Sequence, residues 1–284
     1  MTNLAVHAVT AQQLKSFVTH PSHAVLLHGP AGAGKTALAY EMAAQVLNRP
    51  DISNYPYVLA IDAPTVSSEA AETVRTLEHF LSLRVPTPGT INRIVIINDA
   101  HSLSLAAQNS LLKTIEEPPQ GTLLILTAVS LSSVLPTISS RAQSIAVHRP
   151  AKATLATHFA TLQHESTAID QAYAMSGGLP GLMAALLSNS DHPLKPATAM
   201  ARALLQASLF DRLVAIEDLS KQRAQALNVL FILQQMAHAR LQATTDTQFN
   251  RWQQILQASY MASEQLLGSA QPKLVLDSLM LKLN

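Results

Sequence analysis

The chain has 284 residues, 48% of them apolar and only 4% aromatic, with a formal net charge of +1. That length holds two or three compact units with real cores, and the dominance of Ala and Leu favours a helix-rich protein. The near-zero charge excludes a global field towards nucleic acid or membrane, the absence of cysteine excludes disulfides and cysteine-ligated zinc, and no apolar run approaches the ~18 residues of a membrane span.

The first residues, MTNLAVHAVT, carry no basic n-region and no long apolar run, so no secretory signal is read and a cytoplasmic chain is expected. A short amphipathic helix follows over 11–18. HAVLLHG (23–29) is an apolar run stopped by Gly29, the pattern of a buried strand. KTALAYEMAAQVL (35–47) is helical by propensity and ends near Asn48 and Pro50. YVLAID (57–62) is a second strand. The stretch 68–83 is a helix, with Ser68 placed to cap it and Val74, Leu77, Phe80 and Leu81 at helical spacing. RIVIIND (93–99) is a third strand, and a helix over 104–117 is stopped by Pro118 and Pro119. TLLILTA (122–128) is a fourth strand and SIAV (144–147) a fifth.

Short apolar strands alternating with helices predict a parallel sheet covered on both faces. The pattern ends near Pro150, and from about 152 everything reads as helix. Gly177, Gly178, Pro180 and Gly181 make a turn inside a small helical unit, and NSDHPLKP (189–196) reads as a linker. Beyond it, Val229, Ile232, Leu233 and Met236 share one helix face, and Leu276, Leu279, Met280 and Leu283 share another, with Pro272 at a helix start.

Gly29-Pro30-Ala31-Gly32-Ala33-Gly34-Lys35-Thr36 matches the full G-x-x-x-x-G-K-[ST] pattern, with a strand before it and a helix after it. The glycines let backbone N–H groups point at phosphate oxygens, and the helix N-terminus adds partial positive charge. Lys35 is expected to reach the β- and γ-phosphates of ATP, and the Thr36 hydroxyl to ligate Mg²⁺. The motif specifies nucleotide binding, not hydrolysis.

Taken in order, HAVLLHGPAGAGKTALA, IVIINDAHSLS, NSLLKTIEEPP and LPTISSRAQSI resemble the clamp-loader AAA+ proteins of bacterial DNA polymerase III, the delta-prime and gamma/tau subunits. The resemblance is clearest over 20–150, and QPKLVLDSLMLKLN is similar to the end of the delta-prime collar. It implies a RecA-like AAA+ parallel-sheet core (1–150), a small helical lid (151–190) and an all-helical collar (191–284) that joins subunits. It also implies partners: gamma/tau and delta subunits in a five-membered ring, the sliding clamp, and primer–template DNA through the assembly. No membrane partner is expected.

The family's acidic motif places a Mg²⁺-supporting Asp after the third strand and then a water-activating Glu. Those positions are Asn98 and Asp99 here. Asn98 supplies no charge, and the Asp99 carboxylate falls short of a Glu by roughly 1.5 Å, one C–C bond. A misplacement of about 1 Å can cost on the order of 10²-fold. Three other readings stay open: a polar strand cap for Asn98, a turn cap for Asp99, and a shifted register in which Asp99 serves Mg²⁺. Arg141, in SSRAQ, falls where the family presents an arginine finger to a neighbour's ATP, with Ala142 replacing the usual Cys; the alternative is a surface ion pair. Thr127 falls where a polar sensor is expected, although Thr in a strand is ordinary. Leu182 falls where active members carry a second, arginine sensor, which is therefore missing. The four-cysteine zinc module of many relatives is absent. Arg84 and Arg93, in RVPTPGTINR, read as DNA-phosphate contacts or as solvated loop charges.

These departures predict a delta-prime-like stator that binds ATP, hydrolyses it poorly and supplies Arg141 in trans. The alternatives are a gamma/tau-type motor, in which Asp99 suffices for turnover, and a clamp-independent AAA+ remodeller.

Overall fold

The computed structural model describes residues 4–62, 70–83, 91–243 and 248–283. The chain divides into two compact units, Met1–Arg149 and Pro150–Asn284.

The first unit runs α1 (Ala8–Thr19), β1 (Ala24–His28), α2 (Lys35–Val46), β2 (Val58–Asp62), α3 (Ala70–Ser82), β3 (Arg93–Asn98), α4 (Leu105–Glu116), β4 (Thr122–Ala128), α5 (Pro136–Ser139) and β5 (Gln143–Ala146). The five strands form one sheet in the order β2-β3-β4-β1-β5, and every pairing is parallel. The all-apolar runs explain this arrangement. A strand such as Thr122–Ala128, buried along its whole length, needs cover on both faces, and only crossover helices supply it. One face carries Leu26, Val95, Ile97, Leu124 and Leu126 against Leu77 and Phe80 of α3 and Leu111 and Ile115 of α4. On the other, α2 packs on β3 and β4 and α1 packs on β5. Ser104 caps α4 by accepting from the Ala107 N–H at 3.2 Å.

Arg93 corrects the reading of its loop. It is 1% exposed at the start of β3, donates to the carbonyls of Leu81 and Leu83, and lies over the Phe80 ring. Its guanidinium satisfies orphan carbonyls at the end of α3 and is shut away from solvent, so it is neither a DNA contact nor a solvated charge. Arg84 and Ser68 lie outside the described residues, as does the Val74 side chain.

The second unit is helical throughout its described residues: α6 (Lys152–Thr161), α7 (Ser166–Ser176), α8 (Pro180–Ser188), α9 (Lys195–Gln206), α10 (Leu209–Leu219), α11 (Arg223–Ala243), α12 (Gln248–Leu267) and α13 (Pro272–Met280). The centre is α11, which packs on α7, α9 and α12. Its burial is wider than one stripe. Beside Val229, Ile232, Leu233 and Met236, the polar Gln234 and Gln235 are also buried, and the Gln234 amide donates to the Ser263 hydroxyl at 3.0 Å and the Ser259 carbonyl at 3.2 Å. Leu276, Leu279, Met280 and Leu283 are buried, as their spacing requires. The 189–196 stretch is a short connection that runs into the first residues of α9, with Leu194 buried and Lys195 donating to Asn189 Oδ1 at 2.6 Å.

Gly177 ends α7 with φ +65°, and a Cβ there would sit 2.6 Å from the Gln235 carbonyl oxygen. Gly177→Ala is therefore expected to destabilise this unit by about 2–4 kcal/mol, from left-handed strain plus overpacking. The check is the urea midpoint followed by the fluorescence of Trp252, the single tryptophan. Gly268→Ala, where a Cβ meets nothing closer than 3.5 Å, should leave that midpoint unmoved. Among the described residues, no helix is long and apolar enough to cross a membrane.

Candidate functional site

Because all five strands are parallel, the residues that follow them gather at one edge of the sheet, where open α/β folds bind ligands. β1 leads into the phosphate loop, β2 ends at Asp62, β3 at Asn98, and β4 carries Thr127 one residue from its end.

The loop has the geometry its glycines suggest. Gly32 and Gly34 have φ of +76° and +84°, and Gly34 starts α2 in the left-handed conformation with no side chain capping it. The first N–H groups of α2 therefore keep donors free of side-chain partners. Lys35 is 6% exposed and curls back under the loop, with Nζ 2.9 Å from the Gly29 carbonyl oxygen and 3.0 Å from that of Pro30. Burial pushes its ammonium down from the usual lysine range, and the nearby Asp99 carboxylate opposes that. An incoming phosphate would exchange two neutral carbonyl acceptors for an anionic one, turning hydrogen bonds into an ion pair. Thr36 is exposed on the next position of α2.

At the acidic motif, Asn98 is 5% exposed and faces Asp62 across the β2–β3 pairing. Its Nδ2 donates to Asp62 Oδ1 at 2.9 Å, while its Oδ1 is buried without a partner. Asp99 adopts the left-handed conformation (φ 49°, ψ 47°), which short Asp tolerates better than most residues. Thr127, fully buried, accepts the Asp99 N–H at 2.9 Å and so fixes that backbone turn. The Asp99 carboxylate is 60% exposed and lies 3.9 Å from His101 Nδ1. Burial pushes His101 down, with Asp99 opposing and Lys35 assisting.

Three groups here are marked by no motif: Asp62, His101 and Tyr40. Tyr40 lies one turn after Thr36 on α2, and its phenol is pushed up by burial and by the Asp62 carboxylate. Asp62 thus stands within electrostatic reach of the Thr36 face and in contact with Asn98. The Thr36 hydroxyl, the Asn98 amide oxygen and the Asp62 and Asp99 carboxylates are hard oxygen donors, the kind suited to Mg²⁺ that arrives with phosphates. Among the described residues, no group of three or more His, Asp or Glu side chains forms a self-sufficient metal site. The residues present fit Mg²⁺-nucleotide.

Arg141 is placed elsewhere. It precedes β5, so it sits at the opposite edge of the sheet from the loop, separated by a strand of roughly 13 Å at ~3.3 Å per residue. Its Nε is 2.9 Å from Glu116 Oε1 and its Nη1 3.2 Å from the Thr137 carbonyl oxygen. Leu182 is fully buried in α8.

A parallel sheet in this strand order, with a phosphate loop after β1 and an acidic motif after β3, defines an AAA+ P-loop fold. Residues 7–151 match the model of the family described as DNA polymerase III, delta subunit. The chain is 33% identical over 178 residues to DNA polymerase III subunit delta′ of Pseudomonas aeruginosa, covering 56% of this chain and 54% of that protein. It is 32% identical over 136 residues to subunit tau of Bacillus subtilis, covering 43% and 24%. It therefore spans about half the length of the first of these relatives and less of the second. A Thermotoga maritima gamma subunit-related protein structure overlays on 96% of this chain and 97% of its own, with 18% identity and a TM-score of 0.47. The chain belongs to the DNA polymerase III delta-subunit family of clamp-loader AAA+ proteins, and its likeness is to the delta-prime side.

Proposed function

We propose that this chain is a delta-prime-like clamp-loader subunit that binds Mg²⁺-ATP through Gly29–Thr36, turns it over slowly, and supplies Arg141 to the ATP of a neighbouring gamma/tau-type subunit. In this reading residues 151–190 act as lid and 191–284 as collar. The collar holds a five-membered cytoplasmic ring with gamma/tau and delta subunits that opens the sliding clamp around primer–template DNA. The observation that carries the reading is the contrast at one sheet edge. The phosphate loop is complete, while the residue after the apolar run of β3 is an amide that bonds Asp62. Bound nucleotide would keep its cradle, and the water-activating group would be short and displaced.

The test measures fluorescent-ATP binding and phosphate release on the same purified chain, with Lys35→Ala as control. Binding that Lys35→Ala abolishes, with negligible release, supports the reading. Lys35-dependent turnover at rates of ordinary ATPases, about 1 s⁻¹ or more, overturns it in favour of a motor. That outcome would give a catalytic meaning to the exposed Asp99 carboxylate, whose backbone Thr127 already fixes. Absence of binding would leave Arg141 and the helical unit as the working parts.

Asp62 yields a separate prediction. Asp62→Asn is expected to weaken the Mg²⁺-dependent part of ATP affinity on the order of tenfold, the worth of about 1.4 kcal/mol from one carboxylate near the ion. ATP affinity in EDTA should be unchanged. Equal loss in both conditions would assign Asp62 to folding alone.

A further inference from the structure

Three imidazoles stand on the β5 side of the phosphate loop, outside the nucleotide reading. His28 ends β1 opposite Ala146 of β5, His148 lies two residues past Ala146, and His7 begins α1. The His7 and His148 rings lie with centroids 5.4 Å apart. Burial pushes His28 down, and His148 adds to that. His7 holds an unusual post. Helix N-caps favour Ser, Thr, Asp and Asn, but here an imidazole serves, its Nδ1 accepting the Val9 N–H at 3.2 Å. The buried Thr10 hydroxyl then staples α1 to the strand end, donating to the Ala146 carbonyl at 2.8 Å and accepting the His148 N–H at 3.1 Å. That strand end also walls the loop, since a Cβ on Gly29 would sit 2.7 Å from the Val147 carbonyl oxygen.

We infer that α1 is an acid-released strap: protonation of His7 beside His148 unfastens its first turn from the end of β5, the strand end that walls the phosphate loop. A neutral imidazole accepts through Nδ1, whereas an imidazolium carries N–H on both nitrogens and cannot. Protonation thus removes the cap, puts a cation at the positive end of the α1 dipole, and sets it against a second imidazole. The released helix binds the proton more readily than the fastened one. Fastening therefore holds above the ordinary imidazole range, ~6.5, and weakens as pH falls through it. Among the described residues, no carboxylate pairs with His7, His28 or His148. α1 packs on α2 and β5. On α2, Lys35 is held by the Gly29 and Pro30 carbonyls, Tyr40 lies near Asp62, and Glu41 accepts from Gln45 at 2.7 Å. β5 has no titratable side chain, and Arg149 after it, like Lys15 and His20 on α1, has the sign of an imidazolium. Residues 1–3, ahead of α1, contain no acid. The inference does not rest on the nucleotide reading.

The test is hydrogen–deuterium exchange of the full chain at about pH 7.5 and about pH 5.5, either side of the imidazole range. Peptides from α1 and β4 are followed by mass spectrometry, with times scaled to the intrinsic pH dependence of amide exchange. On acidification, α1 protection is expected to fall about fivefold or more, the scale of losing one N-cap, while β4 stays protected. His7→Asn, which keeps an acceptor that does not titrate, should hold α1 protection constant across the two conditions. His148→Gln should shrink the loss by removing the neighbouring charge. Thr10→Val, which removes the staple at any pH, should lower α1 protection in both. Constant α1 protection in the parent, a loss in His7→Asn equal to the parent's, or no effect of Thr10→Val would overturn the proposal. So would an equal loss in β4, which would make the response a general acid unfolding.

Discussion

Arg141→Ala is expected to leave assembly with gamma/tau-type and delta subunits intact and to cut ATP turnover at the facing site by about 10³-fold or more, the usual worth of an arginine finger. Parallel topology is the reason. The phosphate loop follows β1, whereas Arg141 precedes β5, so the two occupy opposite edges of one sheet and Arg141 cannot serve its own loop. In the proposed reading, the phosphate it reaches belongs to another chain. In the isolated chain its guanidinium pairs with Glu116 at 2.9 Å, in line with the ion-pair reading, but the two side chains are 40% and 48% exposed. A pair this open is worth ~1 kcal/mol or less and is readily exchanged for a γ-phosphate. Glu116→Gln should therefore preserve or raise turnover, which separates a finger from a structural pair. Arg141→Lys should not rescue, because a point charge lacks the planar fork. The measurement is steady-state phosphate release by the reconstituted assembly, with size-exclusion profiles as the control. Wild-type turnover in an intact Arg141→Ala assembly would remove the finger role.

What the sequence shows and what it hides follow one physical divide. Strands buried on both faces announce themselves as continuous apolar runs, and the phosphate loop is contiguous, so the core sheet and residues 29–36 are readable from local pattern alone. The fourth strand, expected at 122–128, stands at Thr122–Ala128. Contacts made across the sheet leave no such trace. Asp62 and Asn98 are 36 residues apart and meet only because β2 and β3 pair in one register. Thr127 reads as a sensor, and its hydroxyl accepts the Asp99 N–H, a bond that likewise needs two strands side by side. Arg93 misleads because a charge in a Pro-rich stretch reads as solvent-exposed. The carbonyls of Leu81 and Leu83 that draw it inward belong to the end of a different element. The buried Gln234 of α11 is hidden similarly, since its partners lie on α12.

Asn98→Asp with Asp99→Glu is expected to raise Lys35-dependent turnover about 10²-fold, the scale of correcting a roughly 1 Å misplacement of a catalytic group. The gain carries a structural cost that can be measured separately. A carboxylate at position 98 has no proton to donate to Asp62, so a 2.9 Å amide–carboxylate bond would become two carboxylates in contact, and one of them would take up a proton or repel the other. Losing a hydrogen bond to a charged acceptor costs about 1.5–3 kcal/mol. Glu also fits the left-handed backbone at position 99 (φ 49°) less well than Asp, adding to the loss. Without nucleotide, the double variant should melt below the parent. Adding Mg²⁺ and ATP should recover more stability in the variant than in the parent, because a divalent ion turns the carboxylate pair from repulsive to useful. Thermal melts with and without Mg²⁺-ATP, alongside phosphate release, follow both halves of the prediction. If binding and fold persist while turnover stays at the parental level, the acidic motif is not what limits hydrolysis. The next position to examine would then be Leu182, buried in α8, where the resemblance implies that active members carry an arginine sensor.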